Sequence, residues 1–321
     1  MKLTRRRFFV SLGTVAPVLA TGCNRERKKV IGVVAKGRAH MFWQSVHAGA
    51  NAAAQENGVE IFWNAPATET DIPTQVQIVD TMINRRVDAI ALAPIDKIAL
   101  VSVVERAARE KIPVVIFDSG IDTPHFVSQV ATDNYRAGQV AAERLSSILG
   151  GKGDVAIVAV QPGAASTMAR EQGFEDTIAK SHPGIKIIDK RYGMAEVARS
   201  LSVAENMLTA HPGLSGMFAS NESSAVGASR ALKGRNSKVQ LVGFDSSPIL
   251  IDDLKAGVID SLVIQHPFKM GYESVVAAVK KLNGQEVQKI NNLDPRLVTR
   301  DNLNDPDVQA QLNPDLKKYL E

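Results

Sequence analysis

From residue 30 onward the chain alternates short apolar runs with amphipathic stretches. The apolar runs predict strands at Val30–Ala35, Val59–Trp63, Val87–Ala93, Val114–Asp118, Val127–Thr132, Val155–Val160, Ile185–Ile188, Met217–Ser220, Leu241–Asp245 and Ser261–Gln265. Helices are predicted between them at Phe42–Asn57, Ile72–Asn84, Ile98–Glu110, Tyr135–Leu149, Ala169–Lys180, Ala195–Ala210, Ser224–Leu232 and Ile249–Ala256. Apolar runs without polar alternation suit strands that are buried on both faces, and strands that alternate with helices indicate parallel sheets.

The predicted fold is therefore α/β. So many strands are better accommodated by two doubly wound parallel sheets than by one, and a closed eight-stranded βα barrel is the structural alternative. The segment from Asp301 to Glu321 is polar and contains Asn-Asp-Pro and Asn-Pro turns. We expect this tail to lie on the surface and to end in a short helix.

The first 22 residues differ in composition from the rest. Three arginines, Arg5 to Arg7, precede an uncharged run from Phe8 to Gly22. The run is shorter than the about 20 residues that a membrane-spanning helix needs. Residues 1–22 are therefore predicted to be a signal peptide. The paired arginines resemble a twin-arginine export signal, with an ordinary secretory signal as the alternative.

Cys23 is the single cysteine of the chain, so an internal disulfide is excluded. It follows Leu19-Ala20-Thr21-Gly22, which resembles a bacterial lipobox. In that interpretation Cys23 becomes a lipidated N-terminus, and residues 23–29 tether the folded part to a membrane in the periplasm or cell envelope. The alternative is a signal-peptide cysteine that is lost on cleavage.

Composition and motifs exclude several functions. The chain has 38 Lys and Arg against 34 Asp and Glu, but four of its basic residues lie in the predicted signal peptide, so the remainder is balanced. A chain whose positive and negative charges balance lacks the excess of basic residues that is typical of nucleic-acid binding. Dinucleotide, phosphate-loop, zinc-protease and nucleophile-elbow motifs are absent from the sequence, and its histidines form no ligand-spaced pair. We expect no enzyme activity, no cofactor and no metal.

Hydrogen-bonding residues stand where predicted strands end, which is where open parallel sheets bind ligands. They are Asp118, Asn221, Asp245 and Gln265. Arg170 lies in the helix after the Val155–Val160 strand, and Phe42 and Trp43 follow the loop after the first strand. Such polar groups bind hydroxyls, and an aromatic face packs on the C–H side of a sugar ring. Helix capping is the alternative for the aspartates, and a core position is the alternative for the aromatics.

Several segments together carry a family resemblance. In chain order they are Ile112-Pro113-Val114-Val115, Ala131-Thr132-Asp133-Asn134, Ala169-Arg170-Glu171, Asn206-Met207-Leu208-Thr209-Ala210-His211-Pro212, Ala219-Ser220-Asn221-Glu222, Val242-Gly243-Phe244-Asp245, Ile264-Gln265 and Met270-Gly271-Tyr272. From residue 30 to residue 298 the chain resembles the periplasmic ribose-binding proteins, the solute-binding components of sugar ABC transporters. The resemblance implies two doubly wound lobes that are joined by three crossing strands, near Thr132, Gln265 and Asp294. Lobe 1 is then residues 30–132 and 266–294, lobe 2 is residues 133–265, and residues 295–321 form a hinge return and tail.

By the same resemblance the protein is a monomer that captures a monosaccharide or related polyol between closing lobes and delivers it to an ABC permease. The seven residues named above match the family's sugar-binding set. Lys36 and His40 stand where ribose binders have a small hydroxyl residue and an amide, and Ser119 and Ala195 replace an arginine and an aromatic residue. We therefore include Lys36 and His40 in the predicted site.

The cations of the first loop leave the chemical class of the sugar undecided. Lys36, His40 and the nearby Arg38 would favour a different or acidified sugar. Alternatively, the loop is solvated, or Asp118 or Asp245 neutralises Lys36. An α/β enzyme that acts on a sugar is the alternative function. A sugar-responsive repressor would need a DNA-binding headpiece where this chain has its export signal.

Overall fold

The structure, a computed structural model, describes residues 27–320. The predicted signal peptide and Cys23 lie outside the described residues. The first sheet is formed by β1 (Val30–Val34), β2 (Glu60–Asn64), β3 (Ala89–Leu92), β4 (Val114–Phe117), β5 (Ser128–Thr132) and β11 (Ile290–Leu293). Its strands are parallel and stand in the order β11-β5-β4-β3-β1-β2. Its helices are α1 (Met41–Asn57), α2 (Ile72–Asn84), α3 (Val101–Arg109) and α9 (Pro267–Leu282).

The second sheet repeats this layout. It is formed by β6 (Gly153–Ala159), β7 (Ile185–Tyr192), β8 (Gly216–Ala219), β9 (Gln240–Phe244), β10 (Ser261–Ile264) and β12 (Arg296–Thr299), in the order β12-β10-β9-β8-β6-β7. Its helices are α4 (Asn134–Ile148), α5 (Ala165–Ser181), α6 (Val197–Ala210), α7 (Glu222–Gly234) and α8 (Pro248–Lys255). β12 pairs antiparallel with β10, whereas the other pairs are parallel. Two separate sheets confirm the doubly wound prediction and exclude the barrel.

The chain passes between the sheets at three places. It leaves the first sheet after β5, returns to it after β10, and crosses again between β11 and β12. At two of these crossings the side chains meet, because Thr132 Oγ1 donates a hydrogen bond to Gln265 Oε1 over 2.6 Å. The crossings therefore form a joint between two lobes, each built on one sheet.

Each sheet is covered by helices on both faces, which explains why its strands are apolar without alternation. Apolar clusters fill both sides of the first sheet and both sides of the second. Close packing of α1 against α9 depends on glycine. A Cβ on Gly271 of α9 would lie 2.0 Å from the carbonyl oxygen of Val46 in α1, so these two helices can touch only where a side chain is missing.

Some elements differ from the prediction. α3 begins at Val101 rather than Ile98, because the Asp96 carboxylate accepts hydrogen bonds from the backbone N–H groups of Ile98 and Ala99 and holds them in a turn. The sequence pattern also missed α9, β11 and β12. Within residues 27–320, no helix combines the length and the apolar character that crossing a bilayer requires.

The tail contacts both lobes. α10 (Pro306–Leu312) buries Val308 in the core of the second lobe. α11 (Lys317–Leu320) lies against the first lobe, where Tyr319 packs on Phe268 and its carbonyl accepts a hydrogen bond from Asn51. The tail therefore crosses from lobe to lobe and ends in a short helix.

Candidate functional site

A cavity of about 30 Å³ lies between the lobes, at the carboxyl ends of the strands of both sheets. All nine residues of the sequence-predicted site line it: Lys36, His40, Phe42, Trp43, Asp118, Arg170, Asn221, Asp245 and Gln265. Three further residues, Glu69, Ser166 and Thr167, complete the lining. The volume is that of about one water molecule, so a sugar can enter only if the lobes separate or side chains move.

Two aspartates occupy equivalent places in the two lobes. Asp118 follows β4, Asp245 follows β9, and these strands hold the same position in their sheets. Both residues adopt a left-handed backbone, with φ of 60° and 67°. This conformation is uncommon outside glycine and is concentrated at functional sites. Neither aspartate caps the next helix: Ser247 caps α8, and Asp118 pairs with a lysine.

Arg170 projects from α5 and is held on several sides. Its Nε donates to Asn134 Oδ1 over 2.7 Å, one Nη donates to the Ser220 carbonyl over 3.0 Å, and the guanidinium lies 3.9 Å from the centre of the Phe244 ring. Burial lowers the pKa of Arg170, while the nearby Asp245 carboxylate opposes that shift. The remaining guanidinium N–H groups are fixed in direction by these contacts.

Amides complete the second lobe's side of the cavity. Gln265 Nε2 donates to Asp245 Oδ1 over 2.6 Å. Asn221 caps α7, since its Oδ1 accepts from the Ser224 backbone N–H over 2.9 Å. Asn221 is thus a helix cap that also lines the cavity, and its amide nitrogen makes no hydrogen bond within the described residues.

On the first lobe's side, Lys36 is neutralised by Asp118. The Lys36 ammonium lies 2.6 Å from Asp118 Oδ2, an ion pair that is not aligned as a hydrogen bond, and both side chains are about 5% exposed or less. Lys36 also donates to Ser166 Oγ of the second lobe over 3.0 Å. Arg38 turns away and binds Asn64 and the Ala65 carbonyl at the surface, so the expected three-cation cluster does not form.

A second cluster of polar and charged side chains surrounds Glu69. Its Oε1 lies 2.7 Å from His40 Nδ1 and accepts a hydrogen bond from Trp43 Nε1 over 2.6 Å. Burial works against a charge on His40, but the hydrogen bond and charge of Glu69, with the more distant Glu222 and Asp245, outweigh it and raise the pKa of His40 to about 9. His40 is therefore an imidazolium at neutral pH. Phe42 and Trp43 pack edge to face, with ring centres 4.9 Å apart.

Glu222 reaches across from the second lobe to the start of α1. Its carboxylate oxygens lie 3.5 Å and 3.4 Å from the backbone nitrogens of Met41 and Phe42, which have no cap from the side chain of His40. Burial raises the pKa of Glu222 to about 7, with the His40 charge opposing the shift. Glu222 is therefore divided between its neutral and ionised forms near pH 7.

Further hydrogen bonds join the lobes around the cavity. The Ser166 backbone N–H donates to Ser119 Oγ over 3.0 Å, and Gln161 Nε2 donates to the Glu69 carbonyl over 2.8 Å. At the rim, the Lys97 N–H donates to the Gly163 carbonyl over 3.0 Å. These contacts define a closed arrangement of the two lobes.

A larger cavity of about 450 Å³ lies beside the hinge, under the tail. It shares Phe42, Asp245 and Gln265 with the smaller one, so these three side chains form the wall between them. The smaller cavity is the candidate site because donors, acceptors and aromatic faces converge on it. In the described part of the chain, no group of three or more His, Cys, Asp or Glu side chains is arranged to hold a metal ion.

Two lobes that close over a polar, aromatic-lined cavity define a solute-binding protein. The chain belongs to the periplasmic binding protein domain family, whose model matches residues 31–286. It is 31% identical, over 84% of its length and 87% of the relative's, to the D-ribose/D-allose-binding protein of Pseudomonas aeruginosa.

Two solved structures resemble the whole fold. A carbohydrate transporter solute binding protein of Agrobacterium radiobacter in complex with D-arabinose has a TM-score of 0.87 and 32% identity, covering 90% of this chain and 100% of that one. An ABC transporter solute binding protein of Agrobacterium vitis with bound D-fucose has a TM-score of 0.86 and 33% identity, covering 88% and 100%. The resemblance to sugar-binding components of ABC transporters is thereby confirmed.

Proposed function

We propose that this protein binds a neutral monosaccharide or polyol between its lobes and delivers it to an ABC permease. The observation that carries the proposal is the convergence of carboxylates, amides, a guanidinium and two aromatic rings from both lobes on one cavity. These groups pair with hydroxyls and with the C–H face of a sugar ring. The sugars bound by the relatives support the same class of ligand.

A balance of charges favours a neutral ligand over an acidic one. The cavity is lined by three cations, Lys36, His40 and Arg170, and by three carboxylates, Glu69, Asp118 and Asp245. Glu222 stands beside them as a fourth carboxyl group. A ligand carboxylate would therefore meet no uncompensated positive charge and would have to be desolvated without a partner.

The same contacts argue against catalysis. Ser166 Oγ lies 3.0 Å from Lys36 Nζ, the spacing of a nucleophile and its base. However, Lys36 Nζ lies 2.6 Å from the Asp118 carboxylate and donates its hydrogen bond to Ser166 Oγ, which is the reverse of the direction that a general base requires. We therefore propose binding without chemical conversion of the ligand, and recovery of unchanged sugar after prolonged incubation tests this.

A thermal-shift screen of the mature chain tests the ligand class. The panel is D-ribose, D-allose, D-arabinose and D-fucose, each with its aldonic acid. A ligand at 100 times its dissociation constant adds about 2.7 kcal/mol to the free energy of unfolding. We expect at least one neutral sugar to raise the melting temperature, with its acid giving a smaller shift. No shift with any neutral sugar, together with a shift from an acid, would overturn the proposal.

Closure on the ligand is part of the proposed function. Lobes that are joined at a few crossing residues can rotate as rigid bodies. We expect small-angle scattering to show a smaller radius of gyration when the sugar is added. An unchanged radius with sugar demonstrably bound would contradict closure.

The proposed location is the outer face of a membrane, with lipid attached at Cys23. Changing Cys23→Ser should release the protein as soluble material or leave uncleaved precursor, which membrane fractionation measures. Replacing Arg5 and Arg6 by Lys should block export if the route is twin-arginine. Unaffected export of that variant would point to the general secretory route.

A further inference from the structure

Glu69 is a partly buried carboxylate that contacts two cavity-lining side chains at once. It lies in the loop between β2 and α2, and its side chain is 13% exposed. A single oxygen, Oε1, is 2.7 Å from His40 Nδ1 and 2.6 Å from Trp43 Nε1. Both partners line the cavity. Glu69 therefore fixes the orientation of an imidazole and of an indole together.

The contact with Glu69 also determines what His40 can offer a ligand. Since Nδ1 is engaged, Nε2 is the ring nitrogen that remains for the cavity. A charged imidazole carries a hydrogen on both nitrogens and has no acceptor. His40 is thus restricted to a ligand oxygen that accepts a hydrogen bond.

We propose that Glu69 is a positioning residue for sugar binding, which keeps His40 as a charged donor toward a ligand oxygen and fixes Trp43 as a stacking face. The inference rests on the proposed function. All three residues belong to the first lobe, so the arrangement exists before the lobes close. On closure Gln161 of the second lobe adds a hydrogen bond to the Glu69 carbonyl.

The proposal predicts a specificity as well as an orientation. Lys36 and His40 together present only donors along the first loop. The ligand atom that faces them must be a hydroxyl or ring oxygen. An amino sugar with its ammonium at that position should bind at least about tenfold more weakly than the parent sugar, because like charges would meet.

The test replaces Glu69→Gln, which keeps the shape and removes the charge. The pKa of His40 is followed by NMR in the ligand-free full mature chain, with the resonance assigned by its loss in His40→Asn. We expect the pKa of His40 to fall by at least about one unit, since the hydrogen-bonded charge of Glu69 is lost. Asp189→Asn is the matched control, because Asp189 lies 3.0 Å from His211 Nε2 away from the cavity.

The second readout is the pH dependence of affinity. His40 stays charged in the wild type until the pH approaches about 9, whereas in Glu69→Gln it loses its proton at a lower pH. The ratio of the variant's Kd to the wild-type Kd should therefore rise at least about fivefold between about pH 5.5 and about pH 9. Both proteins are compared in a Glu222→Gln background, because the charge of His40 also affects the pKa of Glu222, and Asp245 faces His40 in both proteins. Asp189→Asn should show a ratio near one throughout.

An unchanged pKa of His40 in Glu69→Gln would overturn the proposal. So would a Kd ratio that is constant with pH, because a purely structural role would weaken binding equally at every pH. If no sugar of the panel binds the wild type, the proposed function fails, and the His40 titration still decides the role of Glu69.

Discussion

The two faces of the cavity are built on equivalent strands but hold their polar groups differently. On the first lobe, charges are paired with each other: Lys36 with Asp118, and His40 with Glu69. Each pair contains one of the two basic residues, Lys36 and His40, that line the cavity from the first loop. The first face is thus a set of ion pairs with fixed partners.

On the second lobe, the polar groups are held by amides and backbone. Asp245 accepts from the Gln265 amide and from the Glu222 backbone N–H, and Arg170 donates to an asparagine and a carbonyl. From this comparison we infer a division of labour between the lobes. The second lobe binds hydroxyls that many sugars share, and the first lobe determines which sugar is bound.

The largest expected effect separates the two equivalent aspartates. Asp245→Ala removes the acceptor of the Gln265 amide and of the Glu222 backbone N–H, so we expect about a 100-fold loss of affinity, the about 3 kcal/mol of two hydrogen bonds to a charged group. Asp118→Ala should lose only about tenfold if the first face mainly sets specificity. Isothermal titration with the best sugar of the panel measures both, and circular dichroism confirms folding. Equal losses would contradict the division of labour.

A double variant tests whether the first face acts as a pair. Asp118→Ala alone leaves the Lys36 ammonium buried without its partner, and Lys36→Ser alone leaves the carboxylate unpaired. We expect each single change to lower the melting temperature more than the double change does, because breaking a buried pair costs more than removing it. Thermal denaturation measures this. Additive effects would show that the two residues act independently.

The pH dependence of binding tests the contact of Glu222 with the first lobe. Since its pKa is raised to about 7 in the closed protein, closure takes up a proton between the ordinary value of 4.5 and about 7. The contribution of this proton uptake to the stability of the closed form is fully present below pH 4.5 and is lost as the pH rises through about 7. Affinity should therefore fall between about pH 5 and pH 7.5, by at most about tenfold per unit for one proton. Glu222→Gln should flatten this profile, and a profile unchanged in the variant would assign the titration to another group.

The smallest effect concerns a hydrogen bond between the two faces. Ser166→Ala removes the acceptor of Lys36 Nζ, and we expect about a threefold loss of affinity, within the about 0.5–1.5 kcal/mol of a single hydrogen bond. Ser202→Ala on the exposed face of α6 is the matched control and should have no effect. A loss as large as that of Asp118→Ala would mean that Ser166 contacts the ligand directly.

Much of this architecture is visible in the sequence, because buried parallel strands read as apolar runs and their ends mark the cavity edge. Asp118 and Asp245 could be picked in this way. Glu69 could not, since it lies in a polar loop after an edge strand, and loops carry no periodicity. Glu222 has the appearance of an ordinary acidic residue in the first turn of a helix, where it suits the dipole. Its partners Met41 and Phe42 are about 180 positions away and meet it only in the folded chain.

The sequence pattern also did not predict the elements at the hinge. β12 is short and pairs antiparallel, and its four residues contain no pattern that distinguishes the direction of pairing. α9 begins at Pro267, directly after the crossing at Gln265, so its start coincides with the end of a strand.

The central claim is that a neutral sugar is held between the two faces. The most direct measurement is an isothermal titration of the mature wild-type chain with the best neutral sugar of the panel and with the aldonic acid derived from it. We predict saturable binding of one neutral sugar per chain, with the acid at least about tenfold weaker because it meets a cavity of balanced charge. Equal or tighter binding of the acid would contradict the account.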